Sequence, residues 1–139
     1  MKYDALFTPF KIGNMEVKNR FVMAPMGTNS SHIDGCIAND EIDYFEARAK
    51  GGVGLIIMGC QFLNPDLAQG SLEGVLQNSY VIPQLTTVVE ATHRWGAKIC
   101  CQISCGTGRN AFPNMYGEPP FSSSDTPSTC LLYTSPSPR

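Results

Sequence analysis

Three short, largely apolar runs constrain the fold of this chain more than any other feature. They are Phe21–Met26, Val53–Met58 and Lys98–Ile103. A run this short predicts a strand rather than a helix, and the absence of polar alternation is typical of a strand buried on both faces. Parallel sheets bury both faces because helices cover them. The sequence therefore predicts parallel strands that are connected by helices.

The first connecting helix is predicted over Asn39–Lys50. Asn39 is a suitable N-cap, and acidic residues follow it where the positive end of the helix dipole lies. Gly51 predicts the end of this helix. The face predicted to be buried consists of Ile42, Phe45 and Ala49.

A second helix is predicted between the second and third apolar runs, after a polar loop over about 59–79. Pro83 suits the first turn, His93 suits the last turn and Gly96 ends the segment. The face predicted to be buried consists of Ile82, Leu85 and Val89.

A hairpin is predicted ahead of the first apolar run, because Phe10–Lys18 alternates around Gly13-Asn14. The order hairpin, strand, helix, strand, helix, strand predicts an α/β fold that is either doubly wound or closed into a barrel. No Gly-x-Gly-x-x-Gly follows the first strand, so a dinucleotide-binding fold is not supported. The hairpin would suit the bottom of a barrel. We therefore predict a partial TIM (β/α)8 barrel, made of the hairpin, the first three strands and two helices.

The ends of these strands offer residues that could face a ligand, as the strand ends of barrels do. Pro25 fixes the backbone, Gly27 permits close approach of a flat ligand, and Thr28 adds a hydroxyl group and a backbone donor. Gln102 has an amide that donates and accepts, which suits the edge of a flavin ring. Strand ends are also rich in Gly and Pro simply to turn the chain. The residues alone leave a non-catalytic ligand-binding α/β module equally open.

Composition excludes several other classes. Of 139 residues, 42% are hydrophobic and 16% are charged, which is typical of a globular chain. The net charge of −2 gives no electrostatic case for nucleic acid or an anionic membrane. The apolar runs are too short to span a bilayer, and Asp4 interrupts the region that a secretory signal would need. We therefore expect a cytoplasmic protein.

The six cysteines include no Cys-x-x-Cys pair, so neither a metal site nor a disulfide framework is predicted. Cys60, Cys100 and Cys101 lie in or next to apolar runs, and we predict that they are core residues.

Several motifs, in the right order and spacing, resemble the old yellow enzyme family of FMN-dependent NADH:flavin oxidoreductases and ene-reductases. The motifs are Leu6–Met26, Arg48–Ile57 and Gly96–Gln102. The resemblance covers about residues 5–124. This family includes 2,4-dienoyl-CoA reductases and bile-acid-modifying reductases.

The resemblance implies a TIM barrel that holds FMN non-covalently and takes hydride from NADH or NADPH to reduce an activated C=C bond. The substrate would be a small molecule, namely an enone, an enoyl-CoA or a steroid-like compound. Arg109 would help to shape the active site. The catalytic residues, and the iron–sulfur cluster of one branch, would lie beyond residue 139. The residues implied to contact FMN are Pro25, Met26, Gly27, Thr28, Gly59, Cys60 and Gln102.

Two features depart from the family pattern. Cys105 stands where many relatives have a histidine, in a loop one residue longer. This longer form resembles the clostridial branch that contains the bile-acid reductases, which implies a bulky enone or steroid-like substrate. The end of the chain, Cys130–Arg139, resembles translated sequencing-adapter read-through. We therefore predict that residues 1–124 are the front part of a barrel and that 125–139 are a non-native or disordered tail. The chain would then be an inactive fragment of a longer enzyme.

Overall fold

A computed structural model describes residues 3–68, 71–77 and 79–106. Short 3-10 turns occur at Asp4–Phe7, Pro65–Leu67 and Ser79–Val81. The strands and helices are β1 (Phe10–Ile12), β2 (Met15–Val17), β3 (Val22–Met23), α1 (Asn39–Lys50), β4 (Leu55–Phe62), α2 (Ile82–His93) and β5 (Lys98–Ser104). No helix in these ranges is long and apolar enough to cross a membrane.

The predicted order of elements is confirmed. β1 and β2 form an antiparallel hairpin, and Gly13 adopts a φ of 58° in its turn. β3, β4 and β5 form one parallel sheet in chain order. In its register Leu55 of β4 lies beside both Val22 of β3 and Lys98 of β5.

The main core lies between the sheet and the two helices. Phe45 of α1, Ile56 of β4 and Val88 of α2 are all essentially inaccessible to solvent. Their burial is the principal favourable contribution to folding here. The other members of the core are Ile37, Ala49, Met58 and Ala97.

Helix α1 has the predicted bounds and the predicted buried face, but its N-cap is Ala38 rather than Asn39. The backbone N–H groups of Glu41 and Ile42 both donate to the Ala38 carbonyl. The helical hydrogen bonds therefore begin one residue earlier than the asparagine side chain suggested, and Ala38 supplies no side-chain cap.

The predicted buried face of α2 is wrong in two of its three residues. Ile82 is 60% exposed and Val89 is 37% exposed, while Leu85 is partly buried. The helix buries Val88 and Thr92 instead. The helix carries two apolar stripes, and the stripe with Thr92 can be buried because its hydroxyl group donates to the Val88 carbonyl oxygen at 3.0 Å.

The strands also differ from prediction in length and burial. β4 continues to Phe62, through residues predicted as loop. Phe21 and Val22 are exposed rather than buried on both faces. Cys100 and Cys101 are exposed, so the prediction that they are core residues is wrong, whereas Cys60 is half-buried and packs against the cluster of Phe62, Ala68 and Val75. The residues of β3 and β5 are more exposed than predicted because, within the described residues, each of these strands has a sheet neighbour on one side only.

Candidate functional site

The segment that follows β3 is in direct contact with the second half of β4 at Gly59. The register of β4 and β5 shifts between Met58 and Cys60, which leaves Gly59 at an irregularity of the ladder. A Cβ atom on Gly59 would lie 2.5 Å from the Met26 carbonyl oxygen and 2.9 Å from the Gly27 nitrogen. Only glycine permits this approach, which brings three predicted site residues together.

The ends of β4 and β5 meet through Cys60 and Gln102, which lie opposite each other in the register. The Cys60 thiol group donates to Gln102 Oε1, with 3.5 Å between sulfur and oxygen. Gln102 is exposed and Cys60 is half-buried, so both can meet a ligand. Because the thiol hydrogen bond occupies the amide oxygen, the amide nitrogen of Gln102 can donate to a ligand.

The remaining predicted residues are placed less uniformly. Pro25 is exposed and Met26 is 59% exposed beyond the end of β3. The hydroxyl group of Thr28 instead donates inward to Glu41 Oε1 at 3.2 Å. Arg109 lies outside the described residues, as does the tail over 125–139.

Two buried acids support the β3 end, and sequence reasoning missed their role. Glu41 is 1% exposed, and it also accepts a hydrogen bond from the Ser31 hydroxyl group at 2.8 Å. Glu73 is 7% exposed, and its Oε1 accepts the Asn29 N–H at 2.8 Å. Burial raises the pKa of Glu73, and the nearby charge of Glu41 adds to this, against the opposing backbone N–H groups of Asn29 and Thr28.

Gln61 is a further buried polar residue near the site, and it lies in the segment predicted as loop. It is fully inaccessible, its amide nitrogen donates to the Gly59 carbonyl oxygen at 3.4 Å, and its Oε1 has no partner. Gly74 provides space for this amide, since a Cβ atom there would collide with Oε1. In the described part of the chain, no three His, Cys, Asp or Glu side chains are grouped as metal ligands would be.

The residues at the strand ends fit an FMN ring. Pro25 and Met26 are exposed, Met26 offers apolar surface, and Gln102 offers amide hydrogen bonding to a ring edge. Such a set combines apolar surface with few polar groups, as cofactor sites do.

Solved structures define the class of the fold. The chain matches old yellow enzyme from Pichia sp. with a TM-score of 0.70 and 27% identity, over 77% of this chain and 28% of that one. It matches a 2-naphthoyl-CoA reductase with a TM-score of 0.73 and 31% identity, over 78% of this chain and 16% of that one. The fold is therefore an incomplete α/β part of an old yellow enzyme TIM barrel, without a closed barrel in the described residues.

The family follows from the sequence match over residues 5–133: the chain belongs to the NADH:flavin oxidoreductase / NADH oxidase family. Among curated relatives, it is 34% identical to cinnamate reductase of Clostridium sporogenes, over 84% of this chain and 18% of the relative. It is 38% identical to NADH oxidase of Thermoanaerobacter brockii, over 93% of this chain and 20% of the relative. The chain thus spans about a fifth of the length of these two relatives.

Proposed function

We propose that this chain is the front part of an FMN-dependent oxidoreductase that uses NADH or NADPH to reduce an activated C=C bond. The observation that carries the proposal is the meeting of three strand ends, with Gly59 against Met26 and Cys60 against Gln102. The family supports FMN as the ligand of these strand ends. Bound FMN would supply the hydride chemistry, and the protein would bind, orient and polarise.

Each strand would have a distinct role toward FMN. The end of β3 would contact the ring through Pro25, Met26, Gly27 and the backbone of Thr28. The middle strand would contribute Gly59 and Cys60. Gln102 would hydrogen-bond the pyrimidine edge, with Cys60 holding the amide so that its nitrogen faces the ligand. Arg109 would help to shape the active site.

The substrate would be a small unsaturated molecule. Relatives named cinnamate reductase and 2-naphthoyl-CoA reductase support a conjugated acid or its CoA thioester as the substrate class. The longer form at Cys105 resembles the branch that contains the bile-acid reductases, which makes a bulky enone or steroid-like ring the alternative substrate class. We place the catalytic residues, and any iron–sulfur cluster, in a longer polypeptide.

The test is flavin content of the complete gene product. We expect a yellow protein with a flavin absorption spectrum, which oxidises NADH or NADPH when an enone is added. Gln102→Leu should weaken FMN binding about tenfold, the effect of one lost hydrogen bond of roughly 1.4 kcal/mol. Gln77→Leu, at an exposed position, is the matched control and should bind as wild type. A colourless protein that gains no FMN on reconstitution would favour the non-catalytic binding module.

The chain of 139 residues should not be active by itself. β5 has one sheet neighbour in the described residues, and Ile103 on it is 63% exposed, so this edge would need further strands. Residues 1–139 expressed alone should show no tight, stoichiometric FMN binding. Such binding would show instead that the first three strands are sufficient.

A further inference from the structure

We propose that Glu73 is a positioning residue of the flavin site, whose carboxyl group fixes the backbone of Gly27–Asn29 at the end of β3. This inference deepens the proposed function and rests on it. Glu73 lies in the connection after β4, far from β3 in sequence, and touches that strand end through its side chain.

Hydrogen bonds in both directions join the β3 end to the segment around Glu73. Glu73 Oε1 accepts the Asn29 N–H at 2.8 Å, and Asn29 Oδ1 accepts the Leu72 N–H at 2.6 Å. The Ser31 N–H then donates to the Leu72 carbonyl oxygen at 2.9 Å. Asn29 has a φ of 52°, a left-handed conformation that asparagine adopts more readily than most other residues and that suits the direction of these hydrogen bonds.

Gly27 has no side chain at the point where the Glu73 carboxyl group packs. A Cβ atom on Gly27 would lie 2.5 Å from Glu73 Oε1 and 3.4 Å from the carboxyl carbon. The carboxyl group therefore lies directly against the backbone that is proposed to contact FMN. This contact gives Gly27 a role toward the protein as well as toward the ligand.

Glu73 is buried but only partly hydrogen-bonded, which is not expected of a residue whose role is only to fill space. Its side chain is 7% exposed, and Oε2 has no hydrogen-bond partner. Glu41 of α1 is the charged group that acts on it, and Glu41 is also acidic. An apolar side chain of similar size would be less costly to bury. The carboxyl group therefore contributes less to stability than an apolar side chain would, but it accepts the hydrogen bond from the Asn29 N–H.

The test measures the FMN dissociation constant of the complete gene product, with circular dichroism to establish that each variant is folded. E73A removes the acceptor for the Asn29 N–H and should weaken FMN binding at least about tenfold. E73Q keeps an oxygen acceptor and should stay within about threefold of wild type. Glu16 is exposed in the hairpin, and E16A and E16Q are the matched controls, with wild-type affinity expected.

A second variant keeps the proposal testable if E73A does not fold. The added methyl group in G27A should displace the carboxyl group and weaken FMN binding, and E73A/G27A should lose no more than E73A alone. Wild-type affinity in E73A, an equal loss in E73Q and E73A, or wild-type affinity in G27A would each overturn the role of Glu73. A wild-type protein that takes up no FMN would instead overturn the proposed function.

Discussion

Replacing Gly59 with alanine should destabilise the protein more than any other single methyl group added near the site. The new Cβ atom would lie 2.5, 2.7 and 2.9 Å from three backbone atoms of Met26 and Gly27, where ordinary contact begins at 3.4 Å. Relief requires a shift of about 0.9 Å (3.4 − 2.5), and backbone atoms cannot rotate away as a side chain can. Overpacking costs about 1–3 kcal/mol, and we expect the upper end, a loss of more than a hundredfold in the folding equilibrium.

Gly51 provides the matched control for this substitution. Its φ is −66°, which any residue adopts, and an added Cβ atom would meet only two carbonyl oxygens, at 3.2 and 3.4 Å. Gly51→Ala should change the free energy of unfolding by no more than about 0.5 kcal/mol. Urea denaturation followed by circular dichroism measures both variants. If Gly59→Ala were as stable as Gly51→Ala, the close contact between the ends of β3 and β4 would be refuted.

Three further outcomes follow from the core and from the titrating groups. Phe45→Ala should lower the free energy of unfolding by about 3–5 kcal/mol, while Ile33→Ala, at a side chain 74% exposed, should change it by about 0.5 kcal/mol or less in the same urea titration. Burial raises the pKa of Glu73 above 4.5, so the folded state binds the extra proton, and stability should fall as pH rises from 4.5 through the raised pKa. E73Q should flatten this slope in urea midpoints measured across pH. The hydrogen bond from the Cys36 N–H lowers the pKa of Asp34 below 3.8. The stabilisation by ionised Asp34 is therefore fully present above pH 3.8 and is lost as the pH falls through the lowered pKa. Asp34→Asn should remove this loss of stability in acid.

Local patterns were enough to predict the order of elements. The bounds of α1 and the start of β5 match the sequence prediction, because glycines and apolar runs act over a few residues, although the predicted cap Asn39 is wrong. The buried face of α2 could not be predicted in the same way. Both of its apolar stripes have helical spacing, and contact with the sheet and α1 decides which of them is buried.

The strand-end residues were predicted in part, and the buried acids were not predicted as support for the site. Strand-end position and the family resemblance together identified Gly59 and Gln102, which the structure places on adjoining strands. Glu41 lies in the first turn of α1, where the helix dipole alone accounts for an acidic residue. Glu73 lies in a segment that reads as polar loop. Only tertiary contacts show that hydroxyl and backbone donors from the β3 end reach both carboxyl groups.

Gly27 and Gly59 are both glycines in the site, but their missing side chains make room for different groups. At Gly59 the space is taken by the β3 backbone itself, whereas at Gly27 it is taken by the Glu73 carboxyl group. The segment after β3 is therefore held by β4 on one side and by Glu73 on another, while Pro25 and Met26 remain exposed. Because a carboxyl group can be removed and a backbone cannot, E73A should relieve the crowding that G27A introduces, without restoring FMN affinity, whereas no second substitution should relieve the crowding in G59A.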